Sequence, residues 1–418
     1  MKFNRIFLAW LFTALAAISL AIITGMLWQR EKALSSGKAA PEMSSSEALL
    51  VVESPSGKGE GMIYVLHLNT GQKEVLAEGV DADETMADSN ASRIAYVRYQ
   101  EGQFILYVLD LASGEEEEIY RVDSSSVNSL WLSSWSPTGE HFFVMPAISS
   151  GHRPSGTLYL VSVAGRKLHK LGQGLITAWP EWTPDGSIAF YGLKSRGYPA
   201  VYMLEPGNPK PQEVDMVSES FAVSPDGSEV AYVTYSYTRG ANELRVWDIK
   251  AGKSRSIASG ALSGNNKHVL FWSPDGSEIF YLAGSGYLER DLYVVREGEA
   301  PRNLTSDFGG MVTEAALSPD GSHIAVSIVR SFQTFEGDLV LINPETGESK
   351  KLVESKRTPA WLSWSPDGRL LALSEVKVER KGMSFNVIGA ALSVLDLETG
   401  EVYPVAEGQR ARALGWVK

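Results

Sequence analysis

The chain has 418 residues, a formal net charge of −12 and no cysteine. Disulfides, thiolate metal sites and a lipid anchor on cysteine are thereby excluded, and an acidic chain argues against non-specific nucleic-acid binding, which needs clustered Lys and Arg. Length alone would allow two or three domains.

Lys2 and Arg5 precede an uncharged apolar stretch from Ile6 to Trp28, 23 residues long. A secretory signal has an apolar core of roughly 7–15 residues with a small-residue cleavage site close behind. A spanning helix needs about 20. The length therefore predicts a retained single-pass membrane anchor over 6–28, with a cytoplasmic stub at 1–5. Cleavage after Ala39-Ala40, as an unusually long signal, is the alternative. More positive charge precedes the stretch than Arg30, Glu31 and Lys32 supply after it. That bias places residue 1 in the cytoplasm and the rest of the chain outside the cell membrane. Residues 29–46, without an apolar period, read as a flexible tether to a body spanning 47–418.

The body opens with strand-like Ala48–Val52, Met62–Leu66 and Glu74–Leu76. From there a four-residue mark recurs: Ser136-Pro137-Thr138-Gly139, Thr183-Pro184-Asp185-Gly186, Ser224-Pro225-Asp226-Gly227, Ser273-Pro274-Asp275-Gly276, Ser318-Pro319-Asp320-Gly321 and Ser365-Pro366-Asp367-Gly368. Asp88-Ser89-Asn90-Ala91-Ser92 is a degenerate earlier copy. Pro presets the first corner of a type I turn, Asp tolerates the second, and Gly accepts the positive φ that turns the chain back into a hairpin. The prolines fall 47, 41, 49, 45 and 47 residues apart, the period of four-stranded propeller blades. At the far end, Arg412–Val417 matches the residues that elsewhere lead into a mark, and Ala48–Val52 lacks such a preceding strand. The final strand is therefore expected to complete the first blade. The expected architecture is all-β, a closed β-propeller of eight four-stranded blades, with seven as the alternative because the first unit is degenerate.

The Trp or apolar residue, the Ser-Pro-Asp-Gly turn and the following Ile-Ala-Tyr-like strand together resemble the TolB-type propeller repeat, which is similar to the repeat of prolyl-oligopeptidase-type propellers. The resemblance covers residues 47 to 418 and implies a propeller fold and an envelope interaction role. The family's second domain has no counterpart here. No Gly-x-Ser-x-Gly elbow, phosphate-binding loop or His-Glu-x-x-His motif occurs, so no hydrolase domain, catalytic residue, cofactor or metal is expected.

Strand-end Trp135, Trp182, Trp272 and Trp364 could serve as stacking platforms, but a bulky aromatic at one place in every repeat is better read as filling the space between blades. The Asp of each mark reads as turn chemistry, because isolated carboxylates a blade apart lack the ligand density of a calcium loop. Long connections between second and third strands mix Arg with aromatics. They contribute Arg153, Arg196, Tyr198, Tyr235, Tyr237, Arg239, Arg330, Phe332, Phe335 and Arg380, residue types enriched at binding hot spots. These form the candidate crown, on the face away from the marks and from the run Glu115–Glu118. Both chain ends are expected on the mark face. The reading is a membrane-anchored, extracytoplasmic, monomeric propeller that binds a protein or a cell-envelope polymer, with no nucleic acid. The alternative is a propeller enzyme, a polysaccharide lyase or glycoside hydrolase, with Glu181 and Glu314 as its carboxylates at the axial mouth.

Overall fold

The computed structural model describes residues 48–417 except 57–58, 149–155, 172–179, 194–198, 205–211, 217–219, 235–241, 261–269, 287–288, 332 and 382–383. The anchor and tether expected over 6–46 lie outside the described residues, among which no helix is long and apolar enough to cross a membrane. Two compact units divide the chain, 1–47 with 67–72, and 48–66 with 73–418. Among the described residues the first unit holds only the turn in which the Gly71 N–H donates to His67 O at 2.8 Å.

Every regular element among the described residues is a β-strand. The unit around Pro319 shows the pattern: Met311–Leu317, Ile324–Val329, Gly337–Ile342 and Ser349–Ser355 pair antiparallel in that order. The same four-stranded order recurs in the units that begin at Ser129–Trp135, Glu181–Trp182, Phe221–Val223, Phe271–Trp272 and Thr358–Trp364. These sheets resemble propeller blades. All six positions of Ile324–Val329 are buried, whereas Ser349–Ser355 is largely exposed at its start. A strand covered on both faces by neighbouring sheets reads as a continuous apolar run, and an outer strand does not.

Each mark makes the same turn. In the copy at 318, Gly321 N–H donates to Ser318 O, Ser318 Oγ donates to Asp320 Oδ1 at 2.6 Å, and Asp320 Oδ1 accepts the Ser322 N–H at 3.0 Å. The Gly residues have φ between 68° and 84° at 139, 186, 227, 276 and 321. Asp88 reproduces the turn without Pro or Gly: its carboxylate takes the N–H groups of Ser92 and Arg93, and Ala91 adopts φ 48°. Successive marks also touch. A Cβ on Gly227 would lie 2.8 Å from Pro184 Cδ, and one on Gly321 would lie 3.3 Å from Pro274 Cδ. Pro and Gly therefore serve a contact between units as well as the turn.

The first and last described strands meet as expected. Ala48–Ser54 pairs antiparallel with Arg410–Val417, with Leu49 opposite Trp416 and Ala48 opposite Val417. Both described ends thus lie at the end of this sheet where the other units carry their marks. One strand departs from expectation: Gln72–Ala87 runs unbroken, ending the first unit and, through Val80 to Ala87, pairing with Ile94–Arg98 to begin the next. The sequence places the end of the first unit's last strand near Glu74–Leu76 and the start of the next unit near residue 82. The sheet of 278–303 is likewise joined to that of 311–355, by a parallel bridge between Arg290 and Met311.

Hydrogen bonds from the first hydroxyl of each mark, Ser273 and Ser318, are the largest cause that holds Asp275 and Asp320 down to about 2 from an ordinary 3.8, and the Thr183 and Ser224 hydroxyls lower Asp185 and Asp226 in the same way. Depressed carboxyls contribute stability that is fully present above the unfolded value and is lost as pH falls through the folded one. Urea unfolding followed from pH 4 to 2 is expected to show stability falling with acid, and Asp320→Asn is expected to show a shallower fall. Equal slopes would remove the turns from the acid response.

Candidate functional site

The first strands, which precede the marks, carry the polar groups between units. Trp135 Nε1 donates to Met86 O, Trp182 to Ser134 O, Trp272 to Ala222 O, Trp364 to Ala316 O and Trp416 to Ser363 O, at 2.9 to 3.4 Å. Each Trp sits one residue before its mark, or where a mark would follow, and each acceptor lies two residues before the preceding one. The aromatic residues fill the gap between units, as read from the sequence, and also bond across it.

Carboxylates do the same. Glu84 accepts the Leu132 N–H at 3.0 Å, and Glu181 accepts the Val223 N–H at 2.9 Å, where the next unit has Val rather than Trp before its mark. Glu314 accepts two N–H groups, from Trp361 and Leu362, each at 2.8 Å. Trp361 has φ 54° and lies in the register shift between Ala360 and Ser363. A bulge leaves N–H groups out of the ladder, and Glu314 takes up both. Glu181 and Glu314, the carboxylates suggested for an enzymatic mouth, are thus bonds between neighbouring sheets. Ser327 and Ser374 hydroxyls donate to Pro359 O and Ala411 O in the same manner.

The seam between the first unit, which the last strand completes, and the unit that follows it differs again. Arg410 forms a two-pronged ion pair with Asp83, at 2.6 and 3.3 Å, and its Nη1 donates to Val387 O at 2.8 Å. Arg412 donates to Thr85 O at 2.6 Å and to Ala82 O at 3.2 Å. Burial pushes the Arg412 guanidinium below its usual value, against the opposing charges of Asp83 and Glu84. Nothing in the linear order of these residues announced the cluster, because Asp83 and Arg410 stand at opposite ends of the chain.

Of the candidate crown, Arg153, Arg196, Tyr198, Tyr235, Tyr237, Arg239 and Phe332 lie outside the described residues. Arg330 is engaged within its own sheet, with Glu354 at 2.7 Å, Asp338 at 3.4 Å and Ser355 O at 3.0 Å. Those contacts, the Glu354 hydrogen bond first, hold its guanidinium above the ordinary range. Phe335 is half-buried at φ 57°, and its carbonyl accepts the Thr358 hydroxyl. Arg380 is exposed on a long hairpin, opposite Phe385. The run Glu115–Glu118 is not a bare acidic face: Glu116 pairs with Arg98, Glu117 with Arg166 and Glu118 with Arg121. Among the described residues no group of three or more His, Asp or Glu is placed to hold a metal ion.

No family model matches the chain, and no curated protein matches it. Solved structures do. A dihydro-heme d1 dehydrogenase in complex with DHE matches at TM-score 0.59 and 15% identity, over 92% of this chain and 78% of that one. A prolyl endopeptidase structure matches at TM-score 0.52 and 13% identity, over 84% of this chain and 55% of that one. TolB from Acinetobacter baumannii matches at TM-score 0.41 and 16% identity, over 77% and 82%. The first two support a β-propeller fold; at these identities they speak to fold alone.

Glu314→Ala leaves two part-buried N–H groups without their acceptor and is expected to cost about 1–3 kcal/mol in urea unfolding. Glu314→Gln retains a carbonyl acceptor and costs less. Burial raises the Glu314 carboxyl above its ordinary 4.5 despite the two N–H donors. A raised carboxyl makes the fold less stable as pH rises through its folded value, and Gln carries no such dependence. The deficit of Glu314→Gln relative to the parent should therefore shrink as pH rises above 4.5; a constant deficit would contradict this.

Proposed function

We propose that residues 47–418 close into a ring of eight four-stranded blades that works as a binding module, held outside the cell membrane by residues 6–28. It recognises a protein or an envelope polymer through the connections between second and third strands. The strand order supports eight units when the strand Gln72–Ala87 is divided between two blades and the Arg290–Met311 bridge is taken as a junction. Pairing of Ala48–Ser54 with Arg410–Val417 supports closure, since a closed array leaves no open sheet edge at its ends.

The observation that carries the binding reading is the engagement of the first-strand carboxylates. Glu84, Glu181 and Glu314 each hold a neighbouring strand through its N–H groups. A general acid or nucleophile needs its oxygens presented to a substrate. Both oxygens of Glu314, and one oxygen each of Glu84 and Glu181, are presented to backbone, which supports a scaffold role for the first strands and leaves recognition to the connections opposite the marks.

Photo-crosslinking in the native envelope tests this, with a reactive residue placed singly at Arg380, Phe335, Asp226 or Asp320 in the full chain. Adducts to one partner are expected from Arg380 and Phe335 and not from the two mark positions. Adducts from the marks alone, or from none of the four, would overturn the proposal.

A further inference from the structure

The hairpin formed by Leu370–Lys381 and Ser384–Asp396 runs past the sheet that carries it. Within that sheet the first strand pairs only as far as Val376, opposite Thr358, and the fourth strand only as far as Ala390, opposite Gly408. Beyond those rows the two middle strands continue together, with Lys377 opposite Gly389, Val378 opposite Val387, Glu379 opposite Asn386, Arg380 opposite Phe385 and Lys381 opposite Ser384. Among the described residues this stretch is a ribbon two strands wide.

A ribbon of that width buries too little to be stable in water by itself, yet its direction is built. The register shifts between Lys377 and Val378, at the step where the ribbon leaves the sheet, so that Ile388 is the extra residue and stands 40% exposed. A bulge at such a point bends and re-aims the strand that carries it. Arg410 then holds the carbonyl of Val387, next to the bulge, while its other nitrogens are fixed by Asp83 of a different unit. The ribbon is thus oriented by a guanidinium of the last strand that is itself fixed from another unit.

Its composition opposes that of the chain. Lys377, Arg380 and Lys381 outweigh Glu379, whereas the chain as a whole carries −12. Lys377 and Arg380 are exposed, and Val378 and Val387 form an apolar pair between the strands. A two-stranded ribbon offers main-chain N–H and C=O groups along its edges, which an added strand can take up, while side chains select that strand. Vesicle surfaces and carbohydrate polymers do not repeat peptide groups at strand spacing. A polypeptide does.

We infer that the ribbon of 377–381 and 384–389 receives an extended, acidic segment of a partner protein, added as a further strand along its edge and selected by Lys377 and Arg380. This rests on the reading of the chain as a binding module and gives its partner a chemistry. Arg410 and Asp83 are positioning residues for it.

The test uses the full chain in mild detergent and a fluorescent Glu-Val peptide built of Glu-Glu-Val-Val repeats, which carries Glu on both faces as the ribbon carries Lys377 and Arg380, about the length of one strand. Its controls are a Lys-Val counterpart and a Glu-Val peptide with alternate backbone nitrogens methylated. Anisotropy is expected to show binding of the Glu-Val peptide only, weakened roughly tenfold or more in ~1 M salt, where charges are screened beyond about 3 Å. Lys377→Glu with Arg380→Glu, both exposed and expected to leave the thermal unfolding curve unchanged, should abolish it. Asp83→Asn, which releases Arg410, should weaken it while the charges stay. No binding of the Glu-Val peptide, equal binding of the methylated peptide, or binding that survives the double charge reversal would overturn the proposal. So would anionic vesicles competing fully with the peptide, or charge-dependent self-association in its place. Crosslinks to a partner from Phe335 without peptide binding would remove the ribbon and leave the module standing.

Discussion

The structure depends on a joining of ends: the strand Arg410–Val417, the last described, is hydrogen-bonded along its length to Ala48–Ser54, the first. Seven pairs of residues more than 350 positions apart in sequence share one sheet. Such a contact carries a large loop-closure cost, so it has to be reinforced by what surrounds it. Leu49, Leu50, Val51 and Val52 are completely buried, and Trp416 both fills the adjoining gap and bonds to Ser363 O. On its other side Arg410 and Arg412 grip the strand that holds Asp83 and Thr85.

The remaining seams are variations on one problem. Two twisted sheets packed face to face leave main-chain groups near their first strands that no strand completes, and a buried polar group without a partner is costly. Where a Trp precedes the mark, its indole takes a carbonyl of the preceding unit. Where Val223 stands at that place, Glu181 accepts its N–H instead. Where a bulge at Trp361 exposes two N–H groups, Glu314 accepts both. These side chains differ in kind, but each satisfies the neighbouring backbone. This is why acidic residues in first strands resemble catalytic groups when read along the chain and act as seams in space.

Much of this was legible in the sequence. The mark at intervals of 41 to 49 residues located every hairpin that follows a first strand, because Pro, Asp and Gly each answer a local backbone demand that does not depend on tertiary context. The pairing of the two ends was legible too, since Ala48–Val52 lacked a preceding strand and Arg412–Val417 lacked a following turn. What was hidden depends on geometry between units. Glu314 looks the same on paper whether it faces a channel or a bulge. Arg330 reads as a free cation of a long loop, whereas Glu354 and Asp338, far enough along the chain to escape notice, already hold it. The ribbon of 377–381 and 384–389 reads in the sequence as part of a long connection that carries Arg380. Its reach past the sheet follows from where the flanking strands stop pairing, which no local pattern records.

The joining of ends can be tested directly, because the chain has no cysteine of its own. Ala48→Cys with Val417→Cys places two thiols at positions that face each other in the register. Oxidation is expected to give an intramolecular disulfide, seen as faster migration on non-reducing gels. Closing so long a loop should also raise unfolding stability, by roughly 5 kcal/mol on the chain-entropy argument. Thiols that stay reduced, or that cross-link only between molecules, would contradict the pairing of the first and last strands and the closure built on it.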